Sequence, residues 1–241
     1  MQGELGQLVV FPDAEALAHG AAIWLKDRMA PLQGRIAIAL SGGSTPRRLF
    51  QLMGSEFRQE FPWSRMHFFW GDERFVPRDS PDSNFRMARE ALLSKVPVPP
   101  GNIHAVPTEH IEIDEAARAY ERELQKFYGA PALEPDKFLF DVQFLGLGED
   151  GHTASLIPGE PALDERERWV AAVAHGRPET RITLTYPAIE SSRHIAFLVS
   201  GAAKRDILHK VRTRSADVPA ARLRPRGDLT FLADGAAAGE T

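Results

Sequence analysis

Residues 138–159 read FLFDVQFLGLGEDGHTASLIPG. The segment 138–147 is the longest strand candidate in the chain, apolar enough to be buried on both faces of a sheet. Overlapping its end, G-L-G-E-D-G (146–151) matches the spacing G-x-G-x-x-G of a dinucleotide-binding turn. Such a turn needs a helix start behind its third glycine, where free N–H groups meet a pyrophosphate. The other residues argue against it. Glu149 and Asp150 would place two carboxylates beside that pyrophosphate, and Pro158-Gly159 arrive before a long helix can finish. The turn also lies past the middle of the chain rather than at its first β-α connection. The glycines are better read as a sharp turn that carries Asp150 and His152 to the rim of a sheet.

Outward from this strand, short apolar runs alternate with helical patterns. QLVVF (7–11), RIAIAL (35–40), MHFFW (66–70), NIHAV (102–106), WVAAVA, RITLTY, HIAFLVS and LTFLAD (229–234) read as strands. Residues 13–30 read as a helix with Ala16, Leu17, Ala21, Ile23, Trp24 and Leu25 as its apolar residues. Pro46 opens a helix through about Met53, and Ser83 or Asp82 caps one through Leu93. A charged amphipathic helix covers 113–128 and another lies near 202–211. The tail GAAAGET is expected to fray. Repeated β-α-β units predict an α/β fold: a mainly parallel, doubly wound, Rossmann-like sheet with helices on both faces, in a single domain over 1–241.

Composition narrows the function classes. The chain has 241 residues, 43% apolar and 26% charged, which suits a globular protein with a sizeable core. Its net charge of −4, without a basic run, predicts neither nucleic acid nor a membrane surface as partner. There is no cysteine, so disulfides, thiolate chemistry and cysteine metal sites are excluded. The beginning of the sequence, MQGELGQLVVFPD, lacks the pattern of a signal peptide, and no apolar run approaches the ~18 residues of a membrane span, so a cytoplasmic location is expected. The oligomeric state is left open, with a monomer an acceptable reading.

In open α/β sheets, ligands bind outside the carboxyl ends of the strands. Three unusual polar clusters follow strands here: SGGSTP (41–46), GDER (71–74) and GLGEDGH (146–152). In the first, Gly42 and Gly43 remove side chains, Ser41, Ser44 and Thr45 supply hydroxyls, and the following helix supplies unpaired N–H groups. That chemistry suits a phosphate dianion. A helix N-terminus contributes only roughly 0.3–1 kcal/mol to an exposed anion, so a cation should assist, and Arg47, Arg74 and Lys204 are the candidates. Each feature also has a plain structural reading: SGGSTP as a capped turn, Arg74 as an ion pair with Asp72 or Glu73, Lys204 as a solvated helix residue, His152 as a loop histidine.

Together, SGGSTP (41–46), GDERFVPRDSPDSN (71–84), GLGEDGHTASLIPG (146–159) and VSGAAK (199–204) resemble the glucosamine-6-phosphate isomerase/6-phosphogluconolactonase family, in order and spacing from about residue 7 to 234. The lactonase branch matches better. The resemblance implies hydrolysis of 6-phosphoglucono-δ-lactone to 6-phosphogluconate in the oxidative pentose phosphate pathway, a Rossmann-like fold, and no metal or organic cofactor. It puts His152 at the family's base, and Ser41, Gly42, Gly43, Thr45, Arg74 and Lys204 around the substrate's phosphate and ring. The isomerases carry D-G-H-I-A-F-N-E-P, with a glutamate five residues after the histidine. Ile157 stands there in this chain and cannot relay a proton. Asp72 occupies the isomerases' proton-transfer position, so that carboxylate does not separate the branches.

The mechanism expected from these residues is water attack on a lactone carbonyl. A neutral imidazole at His152 takes the proton, Arg74 or backbone N–H groups near Gly42 hold the oxyanion, and the phosphate anchor fixes the carbonyl. Asp150 either orients the imidazole or closes the loop as an Asx turn. The alternatives are a sugar-phosphate isomerase on the same scaffold and a catalytically silent sugar-phosphate sensor.

Overall fold

The computed structural model describes residues 4–240. Among them nine strands run in chain order as β1 (Gln7–Phe11), β2 (Ile36–Leu40), β3 (Met66–Trp70), β4 (Asp72–Arg74), β5 (Phe140–Leu145), β6 (Val170–Val173), β7 (Arg181–Leu184), β8 (Ser192–Val199) and β9 (Asp228–Asp234). The α-helices are α1 (Ala14–Met29), α2 (Ser44–Met53), α3 (Asn84–Ala88), α4 (Ile113–Tyr128), α5 (Tyr186–Glu190), α6 (Arg205–Arg212) and α7 (Gly235–Ala238). Six strands form one sheet in the order β1-β9-β8-β5-β2-β3, and every neighbouring pair is parallel. No described helix is long and apolar enough to cross a membrane.

The sequence IAIAL explains why β2 sits inside this sheet. All five of its residues are at most 4% exposed. Successive side chains point to opposite faces, so both faces are covered. Ala37 and Ala39 lie beside His67 and Phe69 of β3, small residues against rings. At the sheet edge, β3 meets α4. That helix buries Ala116, Ala117, Tyr120, Leu124 and Tyr128, one stripe at helical spacing, and ends on Gly129 in the left-handed region. The Tyr120 hydroxyl accepts from the Trp70 N–H at 2.8 Å and donates to the Trp70 carbonyl at 3.0 Å. One buried phenol thus satisfies the last backbone groups of an edge strand.

Several expectations need correction. NIHAV is not a strand: a 3-10 turn occupies Pro100–Asn102, and only Ile103 bridges Phe68. Prolines at 99, 100 and 107 leave too few donors and too little length for a ladder. The tail does not simply fray, because Asp234 accepts from the Ala237 N–H at 2.8 Å and caps α7. Ile23 is 40% exposed rather than part of the buried face of α1. Finally, β4, β7 and β6 form a separate antiparallel sheet in that order, which the pattern of parallel units did not contain.

Candidate active site

Strands β8, β5, β2 and β3 are neighbours, so the segments that follow them meet at one rim of the sheet. A cleft of ≈ 290 Å³ opens there. Ser41, Gly42, Gly43, Ser44 and Thr45 line one side, with Asp72, Arg74, His152 and Lys204 around the rest. The structure therefore brings together nine of the ten residues expected at the site. The tenth, Asp150, reaches the cleft only through His152. Arg47 does not line it; its side chain is on the exposed side of α2, and the cations of the lining are others.

The turn at 41–46 is built around its glycines. Gly43 is the N-cap of α2 with φ 111°, and no side chain caps the helix start. The first N–H groups of α2 are thus left for a ligand or solvent. Gly42 lines the cleft and has a second reason to lack a side chain. A Cβ there would lie 2.0 Å from the Asn84 side-chain oxygen. Asn84 packs into that space and donates to the Asp72 carbonyl at 2.9 Å, tying the turn to the 71–84 segment.

That segment is organised by a buried carboxylate. Glu73 accepts from the N–H groups of Arg74 (2.8 Å), Asn84 (2.8 Å) and Phe85 (2.7 Å), and from the Ser83 hydroxyl (3.3 Å). Burial pushes its pKa up to about 7 despite those bonds. Glu73 is therefore no ion-pair partner for the Arg74 guanidinium, which donates to the Asp82 carbonyl at 2.7 Å. Asp72, also buried, accepts from the Ser155 hydroxyl at 2.6 Å and lies 3.9 Å from the Arg181 guanidinium.

Around His152 the backbone folds back on itself. Gly148 N–H donates to the His152 carbonyl at 2.9 Å, and Gly151 N–H to the Gly148 carbonyl at 3.0 Å. A Cβ on Gly148 would fall 2.0 Å from the imidazole Nδ1, so only glycine lets the ring lie there. Asp150 does both things considered for it. Its Oδ1 accepts from the His152 backbone N–H at 3.1 Å, as in an Asx turn, and from the ring Nδ1 at 2.5 Å. Its Oδ2 accepts from Arg177 at 2.6 Å. Burial pushes the Asp150 carboxyl up, but the hydrogen bonds from Arg177 and His152 outweigh it and hold the group well below the usual carboxylate range. Arg177 also lies 3.0 Å from Nδ1. A guanidinium and a carboxylate cannot both be satisfied by one ring nitrogen. Only a protonated Nδ1 can donate to the Asp150 carboxylate, and in a neutral ring that tautomer leaves Nε2 with its lone pair.

Two arginines of this site were missed in sequence. Arg177 stands in the segment before β7, and Arg181 is the first residue of β7 and lines the cleft. Burial lowers the Arg181 pKa, with Asp72 opposing and the like charge of Arg74 adding. Three cations, Arg74, Arg181 and Lys204, and one carboxylate, Asp72, line the cleft, with Glu179 3.5 Å from Arg181 and Glu149 3.9 Å from Lys204. Among the described residues, the Nε atoms of Arg74 and Arg181 have no protein acceptor.

An all-parallel sheet with a cationic, hydroxyl-lined cleft at its carboxyl rim defines an α/β protein of the Rossmann-like class, with a cleft whose chemistry suits small anionic ligands. The model of the family described as glucosamine-6-phosphate isomerases/6-phosphogluconolactonase matches residues 12–232, and the chain belongs to that family. It is 43% identical over 238 residues to a 6-phosphogluconolactonase of Nostoc sp., covering 96% of each sequence. A Synechocystis sp. 6-phosphogluconolactonase is 43% identical over 206 residues, with 84% of this chain and 83% of that one covered. In structure it is similar to 6-phosphogluconolactonase from Trypanosoma cruzi, with a TM-score of 0.86, 30% identity, and coverage of 99% of this chain and 97% of the other.

Proposed function

We propose that this chain is a 6-phosphogluconolactonase, hydrolysing 6-phosphoglucono-δ-lactone to 6-phosphogluconate in the oxidative pentose phosphate pathway. The observation that carries the reading is the pairing, in one cleft, of an imidazole held by Asp150 at 2.5 Å with the SGGSTP turn at the start of α2. The substrate phosphate lies on the turn, held by the N–H groups of α2, the hydroxyls of Ser44 and Thr45, and the Lys204 ammonium. The Arg and Lys side chains of the lining supply the positive partners that a phosphate dianion needs.

The His152 Nε2 lone pair takes a proton from water as the water oxygen bonds to the lactone carbonyl carbon. The carbonyl oxygen becomes an alkoxide, stabilised by Arg74 or Arg181. Collapse of the tetrahedral intermediate breaks the bond to the ring oxygen, which receives the proton from the imidazolium. Asp150 keeps Nδ1 protonated throughout and steadies the transient positive charge. A base of this kind is typically worth about 10²–10⁴-fold.

The isomerase reading is disfavoured by Ile157, which is 2% exposed and packs in the core rather than facing the cleft. The small sheet and the large one both supply cleft residues, which supports reading the chain as one functional unit. The test is hydrolysis of 6-phosphogluconolactone against plain gluconolactone. A preference in kcat/KM of at least about 100-fold for the phosphorylated lactone is expected from two charge-assisted hydrogen bonds. Equal rates would remove the phosphate anchor from the account.

A further inference from the structure

A second cavity, of ≈ 600 Å³, shares no lining residue with the lactone cleft. It is bordered by α5, the 214–224 segment after α6, and Arg166. Four guanidiniums face it, from Arg166, Arg214, Arg222 and Arg224, against the carboxylates of Glu190 and Asp217. Arg222 and Asp217 neutralise each other in a two-pronged pair, at 2.7 and 2.9 Å. Three guanidiniums then remain for one carboxylate.

None of the three is charge-paired among the described residues. Arg166 sits over the Tyr186 ring, 4.8 Å from its centre, and donates to the carbonyls of Leu163 and Glu165. Arg214 donates to the Leu223 carbonyl at 3.1 Å. The Arg224 backbone N–H donates to Glu190 at 2.7 Å, while its guanidinium donates no hydrogen bond within the described chain. Carbonyl partners satisfy donors without cancelling charge. Arg214 is held, moreover, at φ 52°, a left-handed conformation that is unfavourable for a residue with a Cβ. Burial lowers the Arg214 pKa, and the like charge of Arg224 adds to this.

A concave wall with unbalanced positive charge concentrates anions, and guanidinium forks match the oxygens of a phosphoryl group. We infer that this cavity is a second ligand site, which takes a compound carrying a phosphoryl group of charge −2 or more. The surplus of at least two charges selects a phosphoryl dianion over a single carboxylate, which would leave a guanidinium unmatched. The site stands behind the His152 loop: Ala220 N–H donates to the Gly151 carbonyl at 2.9 Å, and Val218 packs against Gly151.

Calorimetric titration with inorganic diphosphate tests this on the full chain, as the natural protein, as Lys204→Ala to weaken the lactone cleft, and as Arg214→Ala/Arg224→Ala. The single variant Arg224→Glu, at an exposed position, serves if the double variant does not fold. The natural protein should bind two equivalents, one in each site; Lys204→Ala should weaken one event and leave the other unchanged, and that other event should weaken at least about tenfold in the arginine variants, the effect of one lost charge-assisted contact. Binding that vanishes in Lys204→Ala and persists unchanged in the arginine variants would overturn the site, as would the lack of any saturable second event in the natural protein. Succinate binding as tightly as diphosphate would overturn the phosphoryl assignment.

Discussion

Replacing Asp150 with Asn isolates the group that sets the protonation of His152. The carboxylate accepts on both oxygens, from His152 Nδ1 at 2.5 Å and from Arg177 at 2.6 Å. An amide has one acceptor. If its oxygen stays toward the imidazole, its NH2 faces the guanidinium. If it turns, the NH2 donates to Nδ1, the ring proton moves to Nε2, and the lone pair facing water is lost. A hydrogen bond to a charged group is worth about 1.5–3 kcal/mol. At about 1.36 kcal/mol per decade, kcat for lactone hydrolysis should fall roughly 10- to 150-fold. KM should hold, because Asp150 does not line the cleft. The assay is initial-rate hydrolysis of 6-phosphogluconolactone, corrected for spontaneous opening. The pH dependence of stability supplies a control. A carboxyl held below its usual pKa contributes stability above the unfolded value and loses it as pH falls toward the folded one. The Asn variant should lack that acid-side loss. A kcat within about threefold of the natural protein would refute the tautomer argument, since one lost charged contact is worth at least a decade.

Three further outcomes follow from the same geometry. Gly148→Ala puts a methyl group 2.0 Å from His152 Nδ1 and 2.7 Å from Asp150 Oδ1, so the ring must shift by about an ångström, and kcat should drop about 100-fold with the fold intact by circular dichroism. Lys204→Ala should raise KM for the phosphorylated lactone about tenfold while leaving KM for plain gluconolactone unchanged, read from steady-state kinetics of both. His67, whose Nδ1 lies 3.0 Å from His104, has its pKa lowered to about 4 by burial, with the charges of His104 and Arg35 adding. Its folded value lies below the unfolded one, so stability is present above about pH 6.5 and is lost as pH falls toward 4; after solvent screening this amounts to about 1 kcal/mol. His67→Phe should flatten the melting temperature across that window.

The parts of the fold that rest on periodicity were legible. The 113–128 helix lies where its stripe of Ala116, Tyr120, Leu124 and Tyr128 puts it, and β5 lies within the apolar run 138–147. Motifs just after parallel strands could be placed at one rim because the sheet itself directs them there. What escaped was non-local. The strand β4 is three charged and polar residues, DER, and has strand geometry only because Arg181–Leu184 pairs with it from more than a hundred residues away. Arg181 and Arg177 were missed with it; an arginine opening an otherwise apolar strand, RITL, was the available signal. Gly42 was assigned to ligand approach alone, and its missing side chain also admits Asn84, a partner no local pattern names. The N–H of Ala237 shows the same limit at the other end of the chain, since Asp234 caps a helix in a tail whose composition suggested none.

The most direct measurement is kcat of His152→Ala on 6-phosphogluconolactone, with melting temperature recorded alongside. An imidazole that takes water's proton at Nε2 predicts a loss of at least about 100-fold, an unchanged KM and an unchanged melting temperature. A variant that turns over at the natural rate would contradict the account at its centre, whatever the phosphate contacts prove to be.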